Sequence, residues 1–359
     1  MARPGTKLAL LTSCALIFAA PELTAQSGSV LSDLSNPEVQ ARYRAEAAKR
    51  IACPPIAGYD ALMAAYAANA TSKWDRAAMG CALEYGAEAM KELSLPKNLG
   101  WALATFRTDN IETHLGVFGA HLDYFEVLDN SYSDHYQGIE MSAELGLRWE
   151  QTRARAEVLL ARIDPLVPKL TEARLLRAAY LLASTLRETP TDAQNVAVAA
   201  AIEDLQTAIA ENPGALDGLG PLLLGQVLSA LPEFMGGDIL AAIALLEQAH
   251  GFNPNDLTVH RTLVEAYLGE RETDKAVALL EQALTIDVSA ENPQDYVDDL
   301  KFLGGLAQRA GQPEIAARMA DARMAMLSAK PGLDPRKENA AMGHGGADPL
   351  TGKTPDDLN

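Results

Sequence analysis

Aromatic residues are scarce in this chain, at 6%, and no run of alternating apolar and polar residues is long enough to argue for a sheet. Strands favour β-branched and aromatic side chains, so this shortage argues against a β-sandwich or barrel. Alanine, the best helix former, is abundant instead, and the composition predicts an all-α fold. Basic residues are also in deficit: 30 Lys and Arg stand against 48 Asp and Glu, for a net charge of −18. A surface of that sign repels phosphate backbones and speaks against nucleic acid as a partner. Disorder of the whole chain is excluded by 48% hydrophobic residues, and 359 residues suffice for two domains or one long repeat array.

Long apolar runs are nearly missing. The exception spans Leu8 to Ala20, follows Arg3 and Lys7, and leads to Pro21 and the small-residue exit Leu23-Thr24-Ala25. This pattern reads as a secretory signal peptide over residues 1–25, which places the mature chain in the periplasm. The run is too short to span a bilayer as a helix. An alternative is a loose lipobox at Leu11-Thr12-Ser13-Cys14, although few apolar residues precede Cys14 and the run continues well past it. Beyond the leader only Cys53 and Cys81 remain, and in an oxidising compartment such a pair reads as a disulfide; two buried free thiols are the alternative. Residues 26–36 are Ser-rich and expected to be flexible, and residues 329–359, rich in Pro, Gly, Asp and Lys, to form a disordered tail.

Between these ends the periodicity is helical. Val39, Tyr43, Ala47 and Ile51 recur every four residues, Pro54-Pro55 breaks the pattern, and further helices are expected over 58–70 and 73–93. An N-terminal helical region thus covers residues 37–165, less regular between Pro96 and Gln151. The second half repeats itself: Ala244-Leu245-Leu246-Glu247-Gln248-Ala249 returns letter for letter as Ala278 to Ala283, 34 residues later. Leu263, Tyr267, Ala276, Leu280 and Ala283 resemble the tetratricopeptide family, with His260 where that family usually has Trp and Val288 in place of the closing Pro. Leu224-Gly225, Ala242, Leu246, Ala249 and Pro254 resemble a preceding unit. Ala201, Leu205, Ala208 and Pro213 resemble an earlier one, and Leu303-Gly304 with Ala316 a later one. The resemblance covers residues 168–327 and implies a helical-repeat solenoid. Within it, Leu231 to Asp238 is an extra turn, where glycines supply positive φ and Asp238 caps the next helix.

Chemistry is hard to find. No metal-ligand spacing, nucleophile elbow or phosphate-binding loop is present, so the sequence offers no catalytic residue, no metal and no cofactor, and speaks against an enzyme. A hydrolase assembled from scattered residues stays open. His114 and His121 stand two helical turns apart and read as ordinary helix positions. Asp129, Ser131, Ser133 and Glu140 fit a calcium loop only partly, since Asp134 stands where that loop needs Gly.

The tetratricopeptide resemblance implies instead a groove lined by the first helix of each unit. Its groove positions fall on Gln226, Thr258, Arg261, Glu265, Lys301, Gln308 and Arg309, whose three cations would suit a carboxylate or an acidic peptide. The Pro-Glu-Phe-Met-Gly-Gly-Asp turn from Pro232 to Asp238, followed by Ala242, Leu246, Ala249 and Pro254, resembles the periplasmic T-component family associated with tripartite ATP-independent (TRAP) transporters. That likeness implies association with a solute-binding protein and possible homo-oligomers. The chain departs from the family in lacking a convincing lipobox. The competing expectation is a periplasmic small-ligand carrier, with Trp101, Phe106, Phe118 and Phe125 lining an apolar pocket between helices.

Overall fold

The computed structural model describes residues 37–70, 75–93, 109–134, 139–185, 192–286 and 293–329. Among these the chain forms thirteen α-helices and no strand. In order they are α1 (Pro37–Arg50), α2 (Tyr59–Asn69), α3 (Arg76–Glu92), α4 (Asp109–Asp134), α5 (Ile139–Ile163), α6 (Thr171–Thr185), α7 (Asp192–Glu211), α8 (Leu219–Ala230), α9 (Ile239–Phe252), α10 (Leu257–Gly269), α11 (Thr273–Ala283), α12 (Pro293–Arg309) and α13 (Pro313–Ala329). None is long and apolar enough to cross a membrane.

Local chemistry sets the boundaries. Asp75, Asp238 and Asp256 each accept from amides in the first turn of the following helix, at 2.9, 3.0 and 2.9 Å, and so satisfy donors that a helix start leaves orphaned. Pro293 and Pro313 open α12 and α13, where the missing N–H costs nothing.

The helices pack as consecutive hairpins. α6 pairs with α7, α8 with α9, α10 with α11 and α12 with α13, and each first helix also lies against the next first helix from α8 to α12. The repeated hexapeptide explains the pairing. Ala242, Ala249, Ala276 and Ala283 are completely or almost completely buried, and their small side chains let the partner helix come close. Leu246 and Leu280 fill the space between at zero exposure, each stabilising by about 2 kcal/mol relative to an exposed leucine. Tyr267 in α10 donates its hydroxyl to Glu247 of α9 at 2.6 Å, tying one unit to the one before.

Pro232 to Asp238 forms the expected tight turn. A short 3-10 segment spans Glu233–Met235, Gly236 takes φ 92°, and the Gly237 amide returns to the Pro232 carbonyl at 3.0 Å. The turn holds Phe234 out in solvent, 87% exposed.

In the N-terminal half, α2 pairs with α3, α4 with α5, and α1 lies along α5. Cys53 and Cys81 are joined by a disulfide that ties the segment before α2 to α3. One apolar core runs from Leu62 through Phe118 and Leu159 into α6, α7 and α8 as far as Val227, and a second fills the units from Leu222 to Met319. Phe118 and Phe125 are fully buried in the first of these. They meet Tyr180 and, for Phe125, the Trp149 ring edge at 4.8 Å. They pack as core and do not face an open apolar pocket, while Trp101 and Phe106 lie outside the described residues. Residues 1–36, which include the expected leader and Cys14, and residues 330–359 also lie outside them.

Candidate functional site

The groove positions named from the sequence fall on α8, α10 and α12, the first helices of three successive hairpins. A first helix of such a hairpin buries one stripe against its own partner and turns the other toward the first helices beside it. That arrangement brings Gln226, Thr258 and Arg261 into a chain of contacts, and Glu265 and Arg309 into a separate pair.

The chain begins at Gln226, whose Nε2 donates to Thr262 Oγ1 at 3.2 Å. Thr262 in turn donates to the Thr258 carbonyl. Thr258 Oγ1 donates to Asp299 Oδ2 at 3.4 Å, and the other oxygen of Asp299 meets Arg261 Nη1 at 3.1 Å. Arg261 also lies over the Phe302 ring, 4.9 Å from its centroid, and the Lys301 ammonium stands 5.8 Å from the same ring. Apart from these, Arg309 Nη1 meets Glu265 Oε1 at 3.5 Å, both side chains exposed. Gln308 is exposed on the same helix as Arg309.

Two things differ from the expectation of a cationic groove. Gln226, Thr258 and Arg261 are buried, and only Glu265, Lys301, Gln308 and Arg309 are exposed. The charges are also matched, since Arg261 is held by Asp299 and Arg309 by Glu265. The face is therefore mixed in sign, a buried polar seam edged by exposed charges and by Phe302. Asp299, Thr262 and Phe302 belong to it and were not among the expected positions. Their only sequence signal is adjacency on the same helices: Asp299 lies two residues before Lys301, and Phe302 follows it.

Within the seam, Gln226 Oε1 and Arg261 Nη2 are buried without a hydrogen-bond partner. The histidines are structural in setting. His260 is fully buried at the position usually held by Trp and meets the His250 ring edge-on at 4.9 Å. Burial lowers the pKa of His260 to about 4, partly offset by its Nδ1 contact with the Asp256 carbonyl. His114 and His121 share the buried face of α4, each with Nδ1 on the carbonyl four residues earlier. Burial lowers His121 to about 4 as well. Asp129 to Asp134 continue α4 as helix, so the first half of the calcium-loop pattern is not a loop. Among the described residues no three His, Cys, Asp or Glu gather as a metal site.

Residues 234–296 match the family model described as Tetratricopeptide repeat. The matched span runs from the exposed turn through α9, α10 and α11 into α12. It contains Thr258, Arg261 and Glu265. The fold is thus an all-α, tetratricopeptide-like helical repeat, an architecture that serves protein–protein interaction and is typically not catalytic. No curated protein matches the chain.

Proposed function

We propose that this chain is an exported adaptor whose first-helix face docks a protein partner, and that the partner is the periplasmic solute-binding protein of a TRAP-type transporter. The observation that carries the reading is the linked seam across α8, α10 and α12. A surface built from three successive repeats, buried and bonded in its floor and charged at its edge, is pre-organised for a protein face or an extended segment. Phe302, 39% exposed beside Arg261, supplies the aromatic anchor that such interfaces concentrate their energy on. The matched charges favour a partner of mixed polarity over a uniformly acidic peptide. Two sequence features support the finer part of the reading: the leader-like pattern over residues 1–25 and the Pro232 to Asp238 turn.

The test is cross-linked capture of the tagged chain from periplasm, read by mass spectrometry, beside the Phe302→Ala variant. A stoichiometric solute-binding protein, lost in that variant, is the expected result. Capture of that partner undiminished by Phe302→Ala would refute the docking face, and absence of any solute-binding protein would refute the transporter context.

A further inference from the structure

The repeat carries its own control for what belongs on an outer helix surface. α9 and α11 are the second helices of successive units, and the 34-residue offset of the hexapeptide puts Leu240 and Asp274 in the same place, as it does Ala241 and Lys275. In α11 the exposed pair is charged, as a solvated helix face usually is. In α9 the equivalent of Asp274 is Leu240, 66% exposed. A single exposed leucine is ordinary and needs no account, but this one has company. Phe234, and Met235 at 44% exposure, stand on the tight turn that leads into α9. The Gly237 amide on the Pro232 carbonyl and the Asp238 amide on the Leu228 carbonyl hold that turn against the end of α8. Ala244, exposed one helical turn beyond Leu240, continues the apolar stripe. Elsewhere among the described residues, large exposed apolar side chains occur singly along the chain.

The charge around this patch has one sign. No Lys or Arg occurs between Arg187 and Arg261. The turn and α9 expose Glu233, Asp238 and Glu247, and burial lowers the pKa of His250, the one basic side chain on α9. A cation does approach the far end, where Lys275 of α11 stands 3.9 Å from Glu247, but it is held more closely by Glu272 at 2.6 Å.

We propose that the Phe234 turn and the outer stripe of α9 form a second docking surface, for a protein segment that presents apolar side chains flanked by Lys or Arg. Phe and Met are the residue types that interface centres favour, and the acidic rim supplies the complementary charge. A second copy of this chain meeting the patch about a two-fold axis would set Glu233 and Asp238 against their own equivalents, like charge against like. An anionic lipid surface would be repelled in the same way. The surface lies on the second helix of its unit, away from the first-helix face of α8, α10 and α12, and the inference does not rest on that face.

Fluorescence anisotropy tests this with a labelled amphipathic peptide built from Leu and Lys, and with its counterpart built from Leu and Glu, both at physiological salt. Saturable binding of the Lys peptide with one site per chain, and no binding of the Glu peptide, is expected. Leu240→Asp is the deciding variant. It installs the residue that the next unit already carries at this place, in a first helical turn where an acid is favourable, so the fold holds. It also adds a negative charge, so undirected attraction of the peptide to an acidic chain would rise, whereas docking on the patch should weaken by about tenfold. Phe234→Ser should weaken it by a similar factor, and Glu233→Lys by about threefold. Binding undiminished by Leu240→Asp, or equal binding of the two peptides, would overturn the proposal. So would failure of the Lys peptide to bind, whether or not the patch instead drives self-association or attachment to phosphatidylcholine vesicles.

Discussion

Arg261 and Asp299 lie 3.1 Å apart with both side chains 8% exposed, joining the first helices of two successive repeats. Asp299 also takes the Thr258 hydroxyl, and Arg261 rests on Phe302, so the pair holds the floor of the seam together. Removing Asp299 leaves the Arg261 charge buried without its carboxylate. Asp299→Ala is expected to cost about 3 to 5 kcal/mol in urea unfolding, while the apolar double replacement Arg261→Met with Asp299→Leu recovers most of it. A single-variant cost below about 1 kcal/mol would show that the pair is not structural.

The disulfide closes a loop with a sequence separation of 28, which on chain-entropy grounds stabilises by about 3.5 kcal/mol. Replacing Cys53 and Cys81 with Ser should lower stability by that order in calorimetry. Equal melting of the double variant and the parent would mean the bond contributes nothing to folding.

Gly237 sits under the backbone of the exposed turn, where a Cβ would come 1.8 Å from the Leu231 carbonyl oxygen. Backbone cannot swing aside as a side chain can. Gly237→Ala should therefore open the turn and cost about 2 kcal/mol or more in thermal unfolding, whereas Phe234→Ala, at 87% exposure, should cost less than about 0.5 kcal/mol. The opposite ranking would place the anchor in Phe234.

His121 and His260 set an acid limit. Each has a folded pKa lowered by burial to about 4, against 6.5 for the free side chain. Between those values the unfolded chain binds the proton and the folded chain does not, so stability is fully present above pH 6.5 and falls as pH drops toward 4. At pH 4.5 the loss is about 2 kcal/mol per ring. Urea midpoints at pH 7 and 4.5 measure it. The His121→Asn, His260→Asn double variant should show a smaller drop between the two; an equal drop would assign the acid sensitivity to other groups.

The repeats were legible because their signal is redundant. Ala244 to Ala249 and Ala278 to Ala283 spell the same packing twice, and Asp238 declares a helix start by its chemistry alone. The early helices were also legible, with 58–70 and 73–93 expected against Tyr59–Asn69 and Arg76–Glu92 observed. The stretch over α4 and α5 was less so, because inward positions there hold His114, His121, Asp123, Arg148 and Thr152, which interrupt the apolar period. In the groove, family spacing located Arg261 and Arg309 but not their counter-charges, since Asp299 and Glu265 pair with them across helices, 38 and 44 residues away in sequence.

The central claim is that the partner docks on the face of α8, α10 and α12. Site-specific photo-cross-linking measures this most directly, with the reactive residue placed at Phe302 on that face or at Val196, 69% exposed on the second helix α7. The account predicts a partner adduct from position 302 and none from position 196. Adducts from position 196 alone, with the complex intact, would contradict it.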